Sequence, residues 1–169
     1  YSPMLRIDLV ANNLLACALT RGDIRIMSDG SPWRPLIHCR DIARAFVAFM
    51  NAPVEKVRGL AVNVGGDREN YQVKDVGDAV QKLVPAAKIV YTGEVGADPR
   101  NYRVDFARLS KTLPDFQLQY NLQSGCEEMF RYMRDLKFSL ADFEGDRYVR
   151  LRTLKSGRLG LLQRTEAQR

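Results

Sequence analysis

Apolar positions recur along this chain at two spacings, and each change of spacing marks an element. Ile7, Val10, Ala11, Leu14, Ala18 and Leu19 fall on one helical face that stops at Gly22, a residue suited to the position just past a helix end. That predicts a helix near 7–21. The short run Ile24–Met27 meets the turn cluster Ser28-Asp29-Gly30-Ser31-Pro32, which delivers Trp33 and Arg34 into a second run, Pro35–His38. Two strands joined by a tight connection fit that order. Asp41 then reads as an N-cap before Ile42, Ala45, Phe46 and Phe49, an apolar helical face over 41–50.

Further on, Gly59–Val64 reads as a short strand near 60–64 ending in Gly65-Gly66, and Asn70 as the cap of a helix near 72–84 bearing Val73, Val76, Val80 and Leu83, closed by Pro85. Ile89, Val90 and Tyr91 mark a strand over 88–92. Asp105 reads as an N-cap before Phe106–Leu113. Leu122, Cys126, Met129, Phe130 and Met133 give a core-facing helix near 121–135. The pattern is that of a small α/β domain.

Composition changes this picture little. The chain has 169 residues, 46% hydrophobic and 27% charged, enough for one domain with a real core. Three cysteines, Cys17, Cys39 and Cys126, stand at no metal-ligand spacing and read as buried free thiols. No apolar run reaches membrane-spanning length and no signal-peptide pattern is read at the start, so a soluble, cytoplasmic protein is expected, with no membrane partner. A translated polypeptide begins with Met, so the Tyr1 start reads as a trimmed chain. The formal charge is +6, but basic and acidic residues interleave through most of the length. The excess sits at the end, where Arg147–Arg169 holds seven Lys or Arg against Glu166 alone, wrapped around Leu151, Leu154, Leu159, Leu161 and Leu162. An amphipathic basic helix with a frayed tip is the preferred reading, ahead of a partner-binding tail, and nucleic acid is not the expected partner.

The run Asp29-Gly30-Ser31-Pro32-Trp33-Arg34-Pro35-Leu36-Ile37-His38-Cys39-Arg40-Asp41-Ile42-Ala43 resembles a segment of the extended short-chain dehydrogenase/reductases, the NAD-dependent sugar-nucleotide epimerases and dehydratases. Asn63-Val64-Gly65-Gly66 and Arg100-Asn101-Tyr102-Arg103-Val104-Asp105 are similar to two further family segments. The resemblance runs over about residues 2–135. It implies a sugar-nucleotide-binding domain over 1–135 followed by a helical basic extension, 136–169. It also implies that Arg34 contacts the diphosphate of a nucleotide sugar, that Arg100 and Arg103 close on it from the other side, that Tyr102 stacks or hydrogen-bonds, and that Asn63 approaches the nucleotide. A guanidinium suits the task because it is always charged and offers a planar fork to phosphate oxygens. Asn12 or Asn13, early in the first helix, matches a residue facing the phosphates in relatives; a solvated helix face is the alternative. For Arg34, Arg100 and Arg103 the alternative is a surface charge.

The family's catalytic parts are missing from the sequence. No Gly-x-x-Gly-x-x-Gly follows a strand, and no Tyr-x-x-x-Lys is present. The expectation is therefore the substrate-binding portion of an NAD-dependent epimerase or dehydratase, its Rossmann half absent from this chain. NAD(P) would be held mainly by that missing N-terminal domain, and the fragment alone would be inactive. A nucleotide sugar, the missing domain and a second copy in a homodimer are the expected partners. Two alternatives stay open: a superfamily reductase acting on a non-nucleotide carbonyl, and a non-catalytic basic binding module, which would bind with steep salt dependence.

Overall fold

A computed structural model of the chain describes residues 5–93 and 100–155. In chain order these form α1 (Val10–Arg21), β1 (Asp23–Ile26), β2 (Trp33–Pro35), α2 (Cys39–Asn51), α3 (Val54–Val57), β3 (Asn70–Gln72), α4 (Val73–Leu83), β4 (Lys88–Tyr91), α5 (Ala107–Thr112), α6 (Leu122–Asp135), α7 (Leu140–Glu144) and α8 (Arg150–Lys155).

The strands make two separate pairs. β1 lies parallel to β4, with Asp23 opposite Lys88 and Ile26 opposite Tyr91. β2 lies antiparallel to β3, with Trp33 opposite Gln72 and Pro35 opposite Asn70. The core sits between the first pair and the helices α1, α4 and α6. Leu15, Ile24, Ile26, Val76, Val80 and Met133 are its most enclosed side chains. α1 ends as its spacing predicts: Gly22 takes φ +76° and its N–H donates to the Ala18 carbonyl. A left-handed residue there costs glycine nothing and a branched residue a good deal.

The structure corrects several expectations. α1 begins at Val10, and Leu5 and Ile7 are buried in the segment before it rather than in its first turn. The strand expected over Pro35–His38 sits at Trp33–Pro35, and β1 and β2 do not pair with each other. Asp41 is not an N-cap: His38 holds that place, its Nδ1 accepting the Arg40 N–H at 3.2 Å, and α2 starts at Cys39. Cys39 is therefore exposed, while Cys17 and Cys126 are buried. Asn70 is a strand residue, and Gln72 caps α4 in a reciprocal box with Asp75.

Residues 60–64 form neither strand nor helix and find no ladder partner among the described residues. An alternating apolar segment becomes a strand only when a neighbour takes its N–H and C=O groups, and here side chains take some of them instead. Arg108 donates to the Ala61 carbonyl at 2.9 Å. α2 is the other surprise. Of its predicted apolar face only Ala45 is buried, while Phe46 is 67% exposed; Met50, next to that face, is 83% exposed.

Beyond α6, Phe138, Phe143, Tyr148 and Val149 pack against the main core. The basic amphipathic helix expected over 147–169 is seen as α8 as far as Lys155; the remainder of that expectation lies outside the described residues, as do Ser2, Pro3 and Met4 of the family-like opening.

Candidate functional site

The site is built on β2 and an arm, residues 100–106, that lies along it. The register of β2 with β3 leaves the backbone of Trp33 facing away from β3. Pro35, without an N–H, loses nothing at that outer edge. The arm fills it. Asn101 Oδ1 accepts the Trp33 N–H at 2.9 Å, and the Tyr102 N–H donates to the Trp33 carbonyl at 3.5 Å.

Arg34 is held at this junction. Its guanidinium donates to the Trp33 carbonyl at 2.7 Å and to the Arg100 carbonyl, and lies 5.7 Å from the centre of the Tyr102 ring. Arg103 instead covers the Trp33 ring at 4.8 Å. Successive strand residues face opposite sides, so Arg34 with Tyr102 and Trp33 with Arg103 flank β2 on its two faces. Asn63 lies at the far end of the arm, its amide donating to the Asp105 carbonyl at 3.3 Å. Asn12 and Asn13 are turned to the segment before α1, donating to the carbonyls of Arg6 at 2.7 Å and Ile7 at 3.1 Å. The structure thus joins Arg34, Arg100 and Tyr102 directly. Arg103 stands across the strand, and the three asparagines bond to backbone.

The glycine pair has a packing role. A Cβ on Gly65 would stand 2.4 Å from Cε1 of Phe106, a side chain only 5% exposed. Gly65 therefore makes room for the ring that anchors the arm's far end. Gly66 leads into a 3-10 turn, Asp67–Glu69, where Asp67 Oδ1 accepts the Phe106 N–H at 3.2 Å. The pyrophosphate of a dinucleotide needs a glycine turn that opens an α-helix and presents free N–H donors. A turn carrying Asp67 and Glu69, with Gly65 covered by an aromatic ring, does not fit that group. No group of three or more metal-ligating side chains occurs among the described residues.

Sequence reasoning missed two polar anchors nearby. The Asp41 carboxylate, wholly buried, accepts N–H groups from Gln119 at 3.1 Å and Tyr120 at 3.0 Å, and pairs with Arg44 at 2.7 Å. It ties the segment before α6 to the first turn of α2. Beside it His38 stacks on Tyr120, centroids 3.9 Å apart, with Nε2 3.6 Å from Glu128 Oε1. Burial pushes the His38 pKa down, against the pull of Glu128. An acid at the third position of a helix looks the same in sequence whether it caps its own helix or a distant loop. The second anchor is the Tyr71 hydroxyl, which donates to Glu69 at 2.8 Å. Burial raises the Glu69 pKa, and burial with the bond to Glu69 pushes Tyr71 up to about 12.

Residues 2–65 match the model of the NAD dependent epimerase/dehydratase family. Among solved structures, the UDP-glucuronic acid 4-epimerase of Bacillus cereus has a TM-score of 0.67 at 23% identity, over 80% of this chain and 43% of that one. An NAD-dependent NDP-hexosamine 5,6-dehydratase involved in tunicamycin biosynthesis gives 0.65 at 23%, over 77% and 41%. The L-threonine dehydrogenase of Phytophthora infestans gives 0.63 at 18%, over 74% and 41%. No curated protein matches by sequence. The likeness to the NAD dependent epimerase/dehydratase family thus holds in sequence over residues 2–65, and the likeness of fold to these structures covers about three quarters to four fifths of the chain. The chain spans about two fifths of the length of these structures.

Proposed function

We propose that this chain is the substrate-binding portion of an NAD-dependent sugar-nucleotide epimerase or dehydratase and anchors the nucleoside diphosphate of its substrate. The observation that carries the reading is the placing of Arg34: its guanidinium is fixed at the β2 edge by two carbonyls and a tyrosine face, with Arg100 adjoining. A preset guanidinium meets a diphosphate without first losing its own freedom. Arg34, Arg100 and Tyr102 form the anchor on one face of β2. Arg103 supports it from the other face. Asn12, Asn13 and Asn63 shape the surrounding backbone rather than touching the ligand.

The NAD-binding portion lies, on this reading, in the additional length that the matched structures possess. The exposed side chains of α2, with Phe46 and Met50 foremost, and residues 60–64, which join no ladder among the described residues, are the surface on which it docks. An apolar helix face and a segment without a ladder are what a parallel sheet covers and extends. Replacing Arg34 by Ala in the complete enzyme tests the anchor. KM for the nucleotide sugar should rise about tenfold or more with a smaller change in kcat, and Lys should rescue only in part. An unchanged KM would sink the assignment. The L-threonine dehydrogenase match keeps one other reading in view, a superfamily enzyme acting on a substrate without a nucleotide. Under it, Arg34→Ala leaves KM for that substrate unchanged.

A further inference from the structure

Asn70 is 8% exposed, and its amide bonds to the arm through both of its polar atoms. Oδ1 accepts the Val104 N–H at 2.8 Å, while Nδ2 donates to the Val104 carbonyl at 3.0 Å and to the Asp67 carbonyl at 3.2 Å. A side chain thus supplies the two-bond pairing that a neighbouring strand would normally give a backbone residue. Asn101 supplies the matching tie to Trp33. The arm is fixed at residues 101 and 104, with Tyr102 and Arg103 between the two ties.

We propose that Asn70 is a positioning residue. It sets the register of residues 100–104 along β2, and so the placing of the Arg100 carbonyl and the Tyr102 ring against Arg34. This rests on the diphosphate-anchor reading for its ligand, though the register itself stands on the hydrogen bonds. Only an amide serves, because Val104 offers one donor and one acceptor at the same place. An aspartate would accept the N–H but set its charge against the carbonyls of Val104 and Asp67. A slip by one residue would exchange the faces taken by Tyr102 and Arg103.

The test compares the parent chain with Asn70→Asp and Asn70→Ala by amide hydrogen exchange, urea unfolding and NMR titration with UDP. In both variants exchange at Tyr102 and Val104 should rise by tenfold or more relative to α1 and α4. Val80→Ala serves as a control of lowered global stability, and it should leave that ratio unchanged. UDP affinity should fall several-fold for Asn70→Asp with the chain still folded. Arg34→Ala combined with Asn70→Ala should lose less affinity than the two losses added, since both act on one contact. Unchanged relative exchange at Val104 in both variants would overturn the proposal, as would unchanged UDP affinity in a variant whose arm has loosened. A parent chain that fails to bind UDP while Asn70 still governs arm exchange would overturn the substrate reading and leave the register role standing.

Discussion

The Phe106 ring fills the space a side chain on Gly65 would need, so that residue has almost no substitutes. Gly65→Ala should cost about 1–3 kcal/mol, because a ring enclosed in the fold must give way to a methyl group; a urea midpoint with unchanged slope measures it. Asp41→Ala should cost about 1–3 kcal/mol by the same measurement, since the Gln119 and Tyr120 N–H groups lose a wholly buried acceptor together. Tyr71 gives a pH effect of known sign. Below its ordinary value of 10.0 both folded and unfolded chains hold the phenolic proton. Between there and about 12 the unfolded chain releases it while the folded chain keeps it, so stability falls as pH rises through that window. The loss should be about 1–2 kcal/mol once partial exposure is allowed for. Phenolate absorbance should show a late-titrating component that Tyr71→Phe removes. In the complete enzyme, Arg103→Ala should raise KM less than Arg34→Ala does, since Arg103 lies against Trp33 on the opposite face of β2.

At the scale of elements, periodicity found the long helices because each buries a stripe that shows in the spacing of its residues. α1, α4 and α6 are seen within a few residues of expectation. β3 escaped because its ladder groups pair with a strand remote in sequence, and its polar Asn-Tyr-Gln carries no apolar alternation. The Arg34–Tyr102 neighbourhood was legible only through family resemblance; nothing local to Arg34 announces the arm. Asn70 and Asp41 were visible as polar residues near helix starts, and capping is the commonest use of such residues, so their long-range bonds were hidden. α2 shows the opposite case, a helix seen where its spacing predicts one whose apolar face is covered only in part: Ala45 is buried, while Ile42 and Phe46 are exposed. Phe46→Glu should therefore change the stability of this chain by no more than about 0.5 kcal/mol. In the complete protein it should weaken the association of the two portions, read as a lowered thermal midpoint.

At the scale of the molecule, no described helix is long and apolar enough to cross a membrane, and α1, α4 and α6 pack with β1 around one core. Among the described residues the four strands stand in two pairs, so each of them is at the border of its sheet. Val90 and Tyr91 on β4 are 40% and 50% exposed, alongside Ile89, in a row rich in β-forming side chains. Such a border is an open seam onto which another copy can add, strand upon strand, whenever the concentration of chains rises. Handled alone, the chain should self-associate as it is concentrated, seen in light scattering as a mass that grows with dose. Val90→Lys should blunt that growth while leaving the unfolding midpoint nearly unmoved, since a charge at a sheet border repels a second chain more than it disturbs its own.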